Sequence, residues 1–494
     1  MSCTTILVGK KASYDGSTMV ARNDDSCSGD YSPKKHVVIS PQEQSSVYIS
    51  VLSHVRVELP DNPQAITAVP NALKGKGIWA ASGVNEAHVG MSATETITSN
   101  PRVLGADPLV VYQPATDDSP EIPGGLGEED LVYIVLPYIH SAREGVIRLG
   151  ALLEQYGTYE LNAIAFQDHN EIWWLETIGG HHWLAKRVPD ASYVVMPNQL
   201  GLDSFDFNDA FTTKKDHLCS QDLVDFITDN HLGNANAPDF NPRLAFGSHE
   251  DADHIYNTPR AWFILRYFNP TTYKWDGPQA DYLPTSDNLP WFLVPEHKIT
   301  PEDVKYALSS YFQGTPFNPY GDKGESSLKG IFRPVGINRT SFMELIHMRP
   351  HKAADNSILE WLSFASNAFN VMVPFYASVS KTPEYLSNTT EQVSTDNFYW
   401  TSRLIAALAD ASYHQSILHI ERYQLAVASK SHELINKYDK LLAQTTIASE
   451  QLALREKANA ELAHMAKEEA DKTLLKVLDT TSSLMKNSFS RSDA

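Results

Sequence analysis

Residues 3–25, CTTILVGKKASYDGSTMVARNDD, read as a β-hairpin that opens on a cysteine. Thr4-Thr5-Ile6-Leu7-Val8 and Ser17-Thr18-Met19-Val20-Ala21 are apolar runs rich in β-branched residues, whose stiff side chains suit a pleated surface. Gly9 and Asp15-Gly16 supply the turn chemistry between them. The return strand ends in Arg22-Asn23-Asp24-Asp25, so antiparallel pairing carries a guanidinium and two carboxylates back toward the Cys3 sulfur. Burying such charges for packing alone is costly. That cost sets a chemical use of Cys3 against its bland use as a small buried hydrophobe. Loss of Met1 and Ser2 would make Cys3 the amino terminus. Its α-amine, with an ordinary pKa of about 7.7–8.0, would then act as base for its own thiol.

Outward from this hairpin, His36-Val37-Val38-Ile39, Val47-Tyr48-Ile49-Ser50-Val51 and Gly77-Ile78-Trp79-Ala80-Ala81 are further strand-like runs. The last leads through Gly83-Val84-Asn85-Glu86 into residues 89–95, a second hairpin whose small Gly90, Ser92 and Ala93 leave room for a ligand beside the backbone. Residues 101–127, rich in Pro, Gly and Asp, read as a long loop of the kind used as a lid or binding segment or left disordered. Glu128-Glu129-Asp130 and Glu144 then open two helical patterns.

Strands return from 160 to 198 as a four-strand meander, with turns at Asp168-His169-Asn170 and Gly179-Gly180 and an end at Pro197-Asn198. Adjacent His181 and His182 in a strand point to opposite faces, and no third ligand is spaced to join them, so no metal site is expected there. Thr300-Pro301 starts another helix, and residues 340–376 are rich in strand formers. Strand and helix blocks without regular βαβ alternation make an α+β chain of antiparallel sheets covered by helices. Beyond Trp400, Gly and Pro vanish and long helix follows. There Leu434, Tyr438, Leu441, Thr445, Ala448 and Leu452 keep a 3-4 spacing, an apolar seam for packing on the same subunit or for a homo-oligomer contact.

Composition narrows the function classes. The 494 residues, 42% hydrophobic, can bury one large core or several smaller ones. With 60 acidic against 40 basic residues the net charge is −20, which disfavours nucleic acid and anionic membrane surfaces as partners. No secretory signal pattern opens the chain and no run is long enough for a membrane span. The cysteines Cys3, Cys27 and Cys219 form a sparse, odd set, pointing to a reducing cytoplasm with no disulfide framework and no structural zinc.

Five long segments carry a family likeness: CTTILVGKKASYDGSTMVARNDD, GVNEAHVGMSATET, EEDLVYIVLPYIHSAREGVIRLGALLEQYGTYE, NEIWWLETIGGHHWLAKRVPDASYVVMPNQ and YNTPRAWFILRYFNP. Through them the chain resembles, nearly end to end, the C69 family of dipeptidases in the N-terminal nucleophile hydrolase superfamily. Choloylglycine hydrolases and penicillin V acylases are similar only at the nucleophile, the Arg-Asn-x-Asp turn and a few later polar positions.

The resemblance implies a four-layer αββα sandwich of two antiparallel sheets. It also implies a propeptide of residues 1–2, a catalytic region at 3–399 and a helical region at 400–494 packed on it. By the same resemblance Cys3 is the nucleophile, Arg22 the charge beside it and Asp25 the holder of the terminal amine, while Asn198 is an oxyanion donor. Ser92 and Arg260 match a further oxyanion donor and a second arginine. The substrates implied are free dipeptides, with no cofactor. The two charged ends of a dipeptide ask for a carboxylate and a cation, for which Asp24, Glu95 and Arg102 are the candidates near the site strands. Two other activities fit the more distant likenesses, an amidase acting on acylated amines and a non-catalytic interaction protein of the secernin kind.

Overall fold

A computed structural model describes residues 3–27, 31–235, 237 and 240–487, with the backbone alone at Thr94. The expected propeptide at residues 1–2 lies outside the described residues. Strand β1 (Thr4–Val8) is buried along its whole length, as its unbroken apolar run requires, and pairs with β2 (Thr18–Asp25) in the register Thr4 to Asn23 and Thr5 to Arg22. Two large antiparallel sheets grow from this hairpin and from the second one, β3 (Ser82–Val84) with β4 (Gly90–Thr96). The run at 77–81 is not itself a strand; it leads into β3.

The meander divides between the sheets. Strands β5 (Asn162–Gln167), β6 (Ile172–Thr177) and β7 (Trp183–Arg187) join β4, with β9 (His217–Cys219) at the far edge, in the order β9-β7-β6-β5-β4-β3. Strand β8 (Tyr193–Met196) crosses to the other sheet and pairs with β1, Thr5 opposite Met196. Beyond it β10 (Phe292–Leu293), β11 (Thr340–Met348), β12 (Ile358–Phe364) and β13 (Val373–Tyr376) complete the order β10-β8-β1-β2-β11-β12-β13. A four-strand meander is therefore the wrong reading. Hairpin turns join the first three strands, but residues 188–192 carry the chain over to the other sheet, and period-2 patterning cannot tell which sheet a strand enters.

Side-chain alternation sorts the core. Leu7, Val20 and Val194 of the seven-stranded sheet share one apolar cluster with Ala163, Ala165, Trp174 and Leu184 of the six-stranded sheet. The opposite face of the six-stranded sheet, through Met91, Ala93, Phe166 and Trp173, meets α2 (Leu131–Val135) and α3 (Ala142–Tyr156). The opposite face of the seven-stranded sheet, through Ile6, Val8, Ala21 and Leu345, meets α4 (Thr258–Phe268) and α5 (Pro301–Leu308). Adjacent Trp173 and Trp174 thus fill different clusters, as strand geometry requires.

Residues 101–127 are not one loop. They begin with helix α1 (Pro101–Ala106), capped by the Asn100 side chain on the Arg102 and Val103 N–H groups, and continue with Gln113 bridging to Ile122 and Leu126 to Thr158. The C-terminal seam is also redrawn. Helix follows in three pieces, α6 (Phe398–Ala411), α7 (Tyr413–Leu442) and α8 (Ala448–Ser483), so the run from Leu434 to Leu452 breaks between α7 and α8. The buried stripe of α7 is Ile420, Tyr423, Val427, Ile435, Tyr438 and Leu442, whereas Leu441 is exposed. The 3-4 spacing was correct in period, but a turn without Gly or Pro divided it.

Candidate active site

The Cys3 side chain is fully buried in a polar setting. Alternation along β1 puts Cys3, Thr5 and Leu7 on the face turned to the other sheet, and the Thr5–Arg22 register puts the guanidinium on that face too. Arg22 Nη1 donates to the Cys3 sulfur at 3.5 Å and sits 3.4 Å from Glu128 Oε1, and Nη2 donates to the Ala81 carbonyl at 3.3 Å. Ala81 also accepts from the Ala93 N–H at 3.0 Å, which ties the second hairpin to the same guanidinium.

Arg260, from α4, approaches from the other side. Its Nη1 donates to the Cys3 carbonyl and to Thr4 Oγ1, the latter at 2.6 Å, and its Nη2 donates to Asn198 Oδ1 at 2.8 Å and Asn257 Oδ1 at 2.6 Å. Asn198 follows β8, so the crossing of that strand is what delivers its amide beside the first residues of β1. Its Nδ2 donates to the Thr96 carbonyl at 3.0 Å, and a primary amide carries a second N–H.

Asp25 falls on the opposite face of β2 from Arg22. Its carboxylate takes Arg333 Nη2 and, at 2.6 Å, Thr340 Oγ1. Asp24, on the sulfur's face, pairs with Lys34 at 3.2 Å. Glu95 accepts from Thr5 Oγ1 at 2.7 Å. Ser92 is buried on β4 opposite Ser82, and its alternation with Met91 and Ala93 turns it to the face between the sheets. Arg102 is exposed on α1 and donates to the His231 carbonyl at 3.2 Å, outside this group of contacts. Proximity in sequence to β4 misled there, because the chain turns away into α1.

The electrostatics follow from burial first. Burial pushes the Cys3 thiol well above its ordinary value, against the pull of Arg22 and with the help of Glu95, Asp24 and Glu128. Burial also drives Glu95 up to about 8, opposed by Arg260, Thr5 and Arg22, and Glu128 up to about 7, opposed by Arg22. It works against the Arg22 charge as well, but Cys3, Asp24, Glu128 and Glu95 outweigh it and hold that pKa above the ordinary value. At Asp24 Lys34 and Arg22 more than reverse burial, so this carboxyl stays below its ordinary value. The Arg22 charge, shared between the buried thiol and Glu128, is what favours thiolate against that burial.

Several site groups escape the sequence. Glu128, Glu129 and Asp130 read as a solvated helix start, yet all three are buried. Glu128 faces Arg22; Glu129 takes the Ser50 hydroxyl and the Val51 and Leu52 N–H groups; Asp130 takes the Tyr48 hydroxyl. Lys34 and Arg333 carry no motif at all, and nothing in the sequence marks a role for Asn257, although it lies inside the segment that holds Arg260. The one available signal is the run of three acids directly before the wholly apolar LVYIV, which puts charge where a core must begin. His181 and His182 do not diverge either. They sit in the turn before β7, and their Nδ1 atoms lie 3.0 and 2.7 Å from the two oxygens of Asp107. Among the described residues no cluster of His, Cys, Asp and Glu could hold a metal ion, and no helix is long and apolar enough to cross a membrane.

Two antiparallel sheets with a cysteine and an arginine between them, and a second arginine reaching the same cysteine from α4, define a class by chemistry, and the sequence relatives supply its name. The chain belongs to peptidase family C69, whose model matches residues 2–426, and is a peptide hydrolase. It is similar to a protein named dipeptidase from Bifidobacterium longum, 51% identical over 532 residues and covering 100% of each chain. It is equally similar to a probable dipeptidase A of Streptococcus pyogenes, 51% identical over 494 residues with 100% of each covered. A probable dipeptidase B of Lactococcus lactis is 42% identical over 499 residues, covering 100% of this chain and 98% of the relative.

Proposed function

We propose that this chain is a cysteine dipeptidase of the N-terminal nucleophile type, built as a four-layer αββα sandwich. Residues 3–399 carry the catalytic unit and 400–494 form a helical region packed on it. The observation that carries the reading is the Cys3 sulfur 3.5 Å from the Arg22 guanidinium, with Arg260 bridging the Cys3 backbone to Asn198. The packing of helices, sheet, sheet and helices supports the sandwich, and the names of the relatives support free dipeptides as substrates.

In this mechanism Met1 and Ser2 are removed, which frees the Cys3 nitrogen as an amine with an ordinary pKa near 8. The amine takes the thiol proton, directly or through one water, and the sulfur attacks the peptide carbonyl. Asn198 and the backbone around Ser92 hold the oxyanion, each donor contributing about 3–4 kcal/mol in the transition state. The C–N bond breaks as the α-ammonium protonates the leaving amine. Water then cleaves the thioester, releasing the first amino acid and restoring the thiol. Arg22 favours thiolate, Arg260 orients Asn198, and Asp25, anchored by Arg333, is assigned the holding of the freed amine.

The intact mass of the purified protein tests the first step: the mature chain should begin at Cys3. Cys3→Ala should retain the residues before it and lose dipeptide hydrolysis, at a stability cost of about 1 kcal/mol. A Cys3→Ala protein that still cleaves free dipeptides ends the mechanism, and a wild type that cleaves only N-acylated amines replaces the dipeptidase with an acylase.

A further inference from the structure

Glu95 is a fully buried carboxylic acid with half of its bonding capacity in use. Oε2 accepts the Thr5 hydroxyl at 2.7 Å, whereas Oε1 has no hydrogen-bond partner among the described residues. A buried carboxyl oxygen left bare is costly and asks for an explanation. Neither fold nor mechanism supplies one, since the cations of the site are committed elsewhere: Arg22 to the sulfur and Glu128, Arg260 to Asn198 and the Cys3 carbonyl, Arg333 to Asp25.

Position does supply one. Thr5 and Cys3 are two residues apart on one face of β1, a step of roughly 6.5 Å along a strand. In a dipeptide the α-nitrogen lies about 2.5 Å from the scissile carbonyl carbon, across two bonds. A sulfur about 3–3.5 Å from that carbon and a carboxylate oxygen about 2.8 Å from that nitrogen put the two protein atoms at most about 9 Å apart, a reach that the strand step and the Thr5–Glu95 hydrogen bond together cover.

We propose that Glu95 is the seat of the substrate's free α-ammonium, with Thr5 fixing one carboxylate oxygen so that the other faces the incoming cation. The inference rests on the dipeptidase reading and adds to it the reason that only a free amino end is accepted. A blocked end would offer Oε1 one neutral amide N–H in place of an ammonium and would bring an acyl group into the same space, and sites built around a charged partner reject analogues that lack the charge by large factors. The charged and titratable groups whose fields reach Glu95 are Arg260, Arg22, Asp25 and Cys3. In the empty site burial keeps its proton on near neutral pH; an arriving ammonium favours the carboxylate, and the proton passes to bulk water as the ion pair forms.

The test uses the full-length protein and its Glu95→Gln and Glu95→Asp variants, with melting curves to confirm folding. Protection of Cys3 from iodoacetamide, followed by mass, is measured with alanylalanine and with N-acetyl-alanylalanine, alongside KM and kcat for the former. The free dipeptide should protect the wild type and the acetylated one should not. Glu95→Gln should lose that protection and raise KM by roughly 10- to 100-fold, the worth of a charge-assisted hydrogen bond, with unliganded alkylation no slower than in the wild type, because the carboxylate raises the thiol pKa. Glu95→Asp, which keeps the charge on a shorter arm, should fall between, and carries the test alone if the glutamine variant does not melt cooperatively. Equal protection by both ligands, or protection and KM unchanged in the variants, overturns the proposal. Protection without turnover in the wild type leaves the ammonium seat standing and removes the dipeptidase reading.

Discussion

Cys3 and Arg22 show how a residue's chemistry depends on its neighbours more than on its type. Burial alone would make the thiol inert, and the largest influence that lowers its pKa is the Arg22 guanidinium at 3.5 Å. Replacing Arg22 by Gln keeps much of the side-chain volume and some hydrogen bonding but removes the charge, so the thiol should rise further. Alkylation of Cys3 at pH 7 should slow by roughly tenfold or more, one pKa unit being a factor of ten in thiolate, and the alkaline rise of the rate should move to higher pH. An unchanged rate profile would mean that the guanidinium serves packing only. The motif Arg-Asn-x-Asp made Arg22 legible in the sequence, because a charge at fixed distance from a hairpin turn has a computable partner. Glu128, which competes for the same guanidinium, was illegible because its approach is set by a distant segment.

At the scale of elements, α1 and the turn before β7 are joined through one carboxylate. Asp107, the residue that ends α1, receives the His181 and His182 N–H groups and both of their Nδ1 atoms. Burial would raise its pKa, but the bonds from His182 and His181 reverse that and hold it well below the ordinary carboxylate range. A folded pKa depressed in this way contributes stability that is present above the unfolded value near 3.9 and is lost as pH falls through the folded value. Asp107→Ala should cost about 2–4 kcal/mol in urea unfolding at pH 7, and the gap from wild type should narrow below pH 4. A constant gap across that range would assign the loss to packing. The two histidines invited a metal reading in the sequence; the structure answers with an acid from a helix that composition had hidden inside a supposed loop.

At the scale of the molecule, the terminal helices close an open sheet edge. Strand β13 ends the seven-stranded sheet, and an uncovered edge offers unpaired backbone groups. The Asn459 amide on α8 serves as a substitute strand: its Oδ1 accepts the Tyr376 N–H at 2.8 Å and its Nδ2 donates to the Tyr376 carbonyl at 2.9 Å. Asp439 on α7 adds the Tyr376 hydroxyl at 2.8 Å and Arg349 Nη1 at 2.8 Å. Asn459→Ala leaves two buried backbone groups bare and should destabilise by about 2–4 kcal/mol, with kcat and KM on dipeptides unchanged. A fall in kcat without a fall in melting temperature would tie this edge to catalysis.

The sequence by itself determined the first hairpin and the return of Arg22 and two carboxylates toward Cys3, because a 2-residue side-chain period and two turn signals mark both strands; with residues 9–17 between them, the register came from tertiary pairing. It likewise determined that helix fills the C-terminal region, since that composition excludes sheet. Only the tertiary structure decided that β8 leaves its neighbours to flank β1, that the three acids at 128–130 are interior, and that the seam through Leu441 is broken. Each of those depends on contacts between residues far apart in the chain. Local propensity carries no information about which of two sheets, or which of two interiors, a well-formed element will enter.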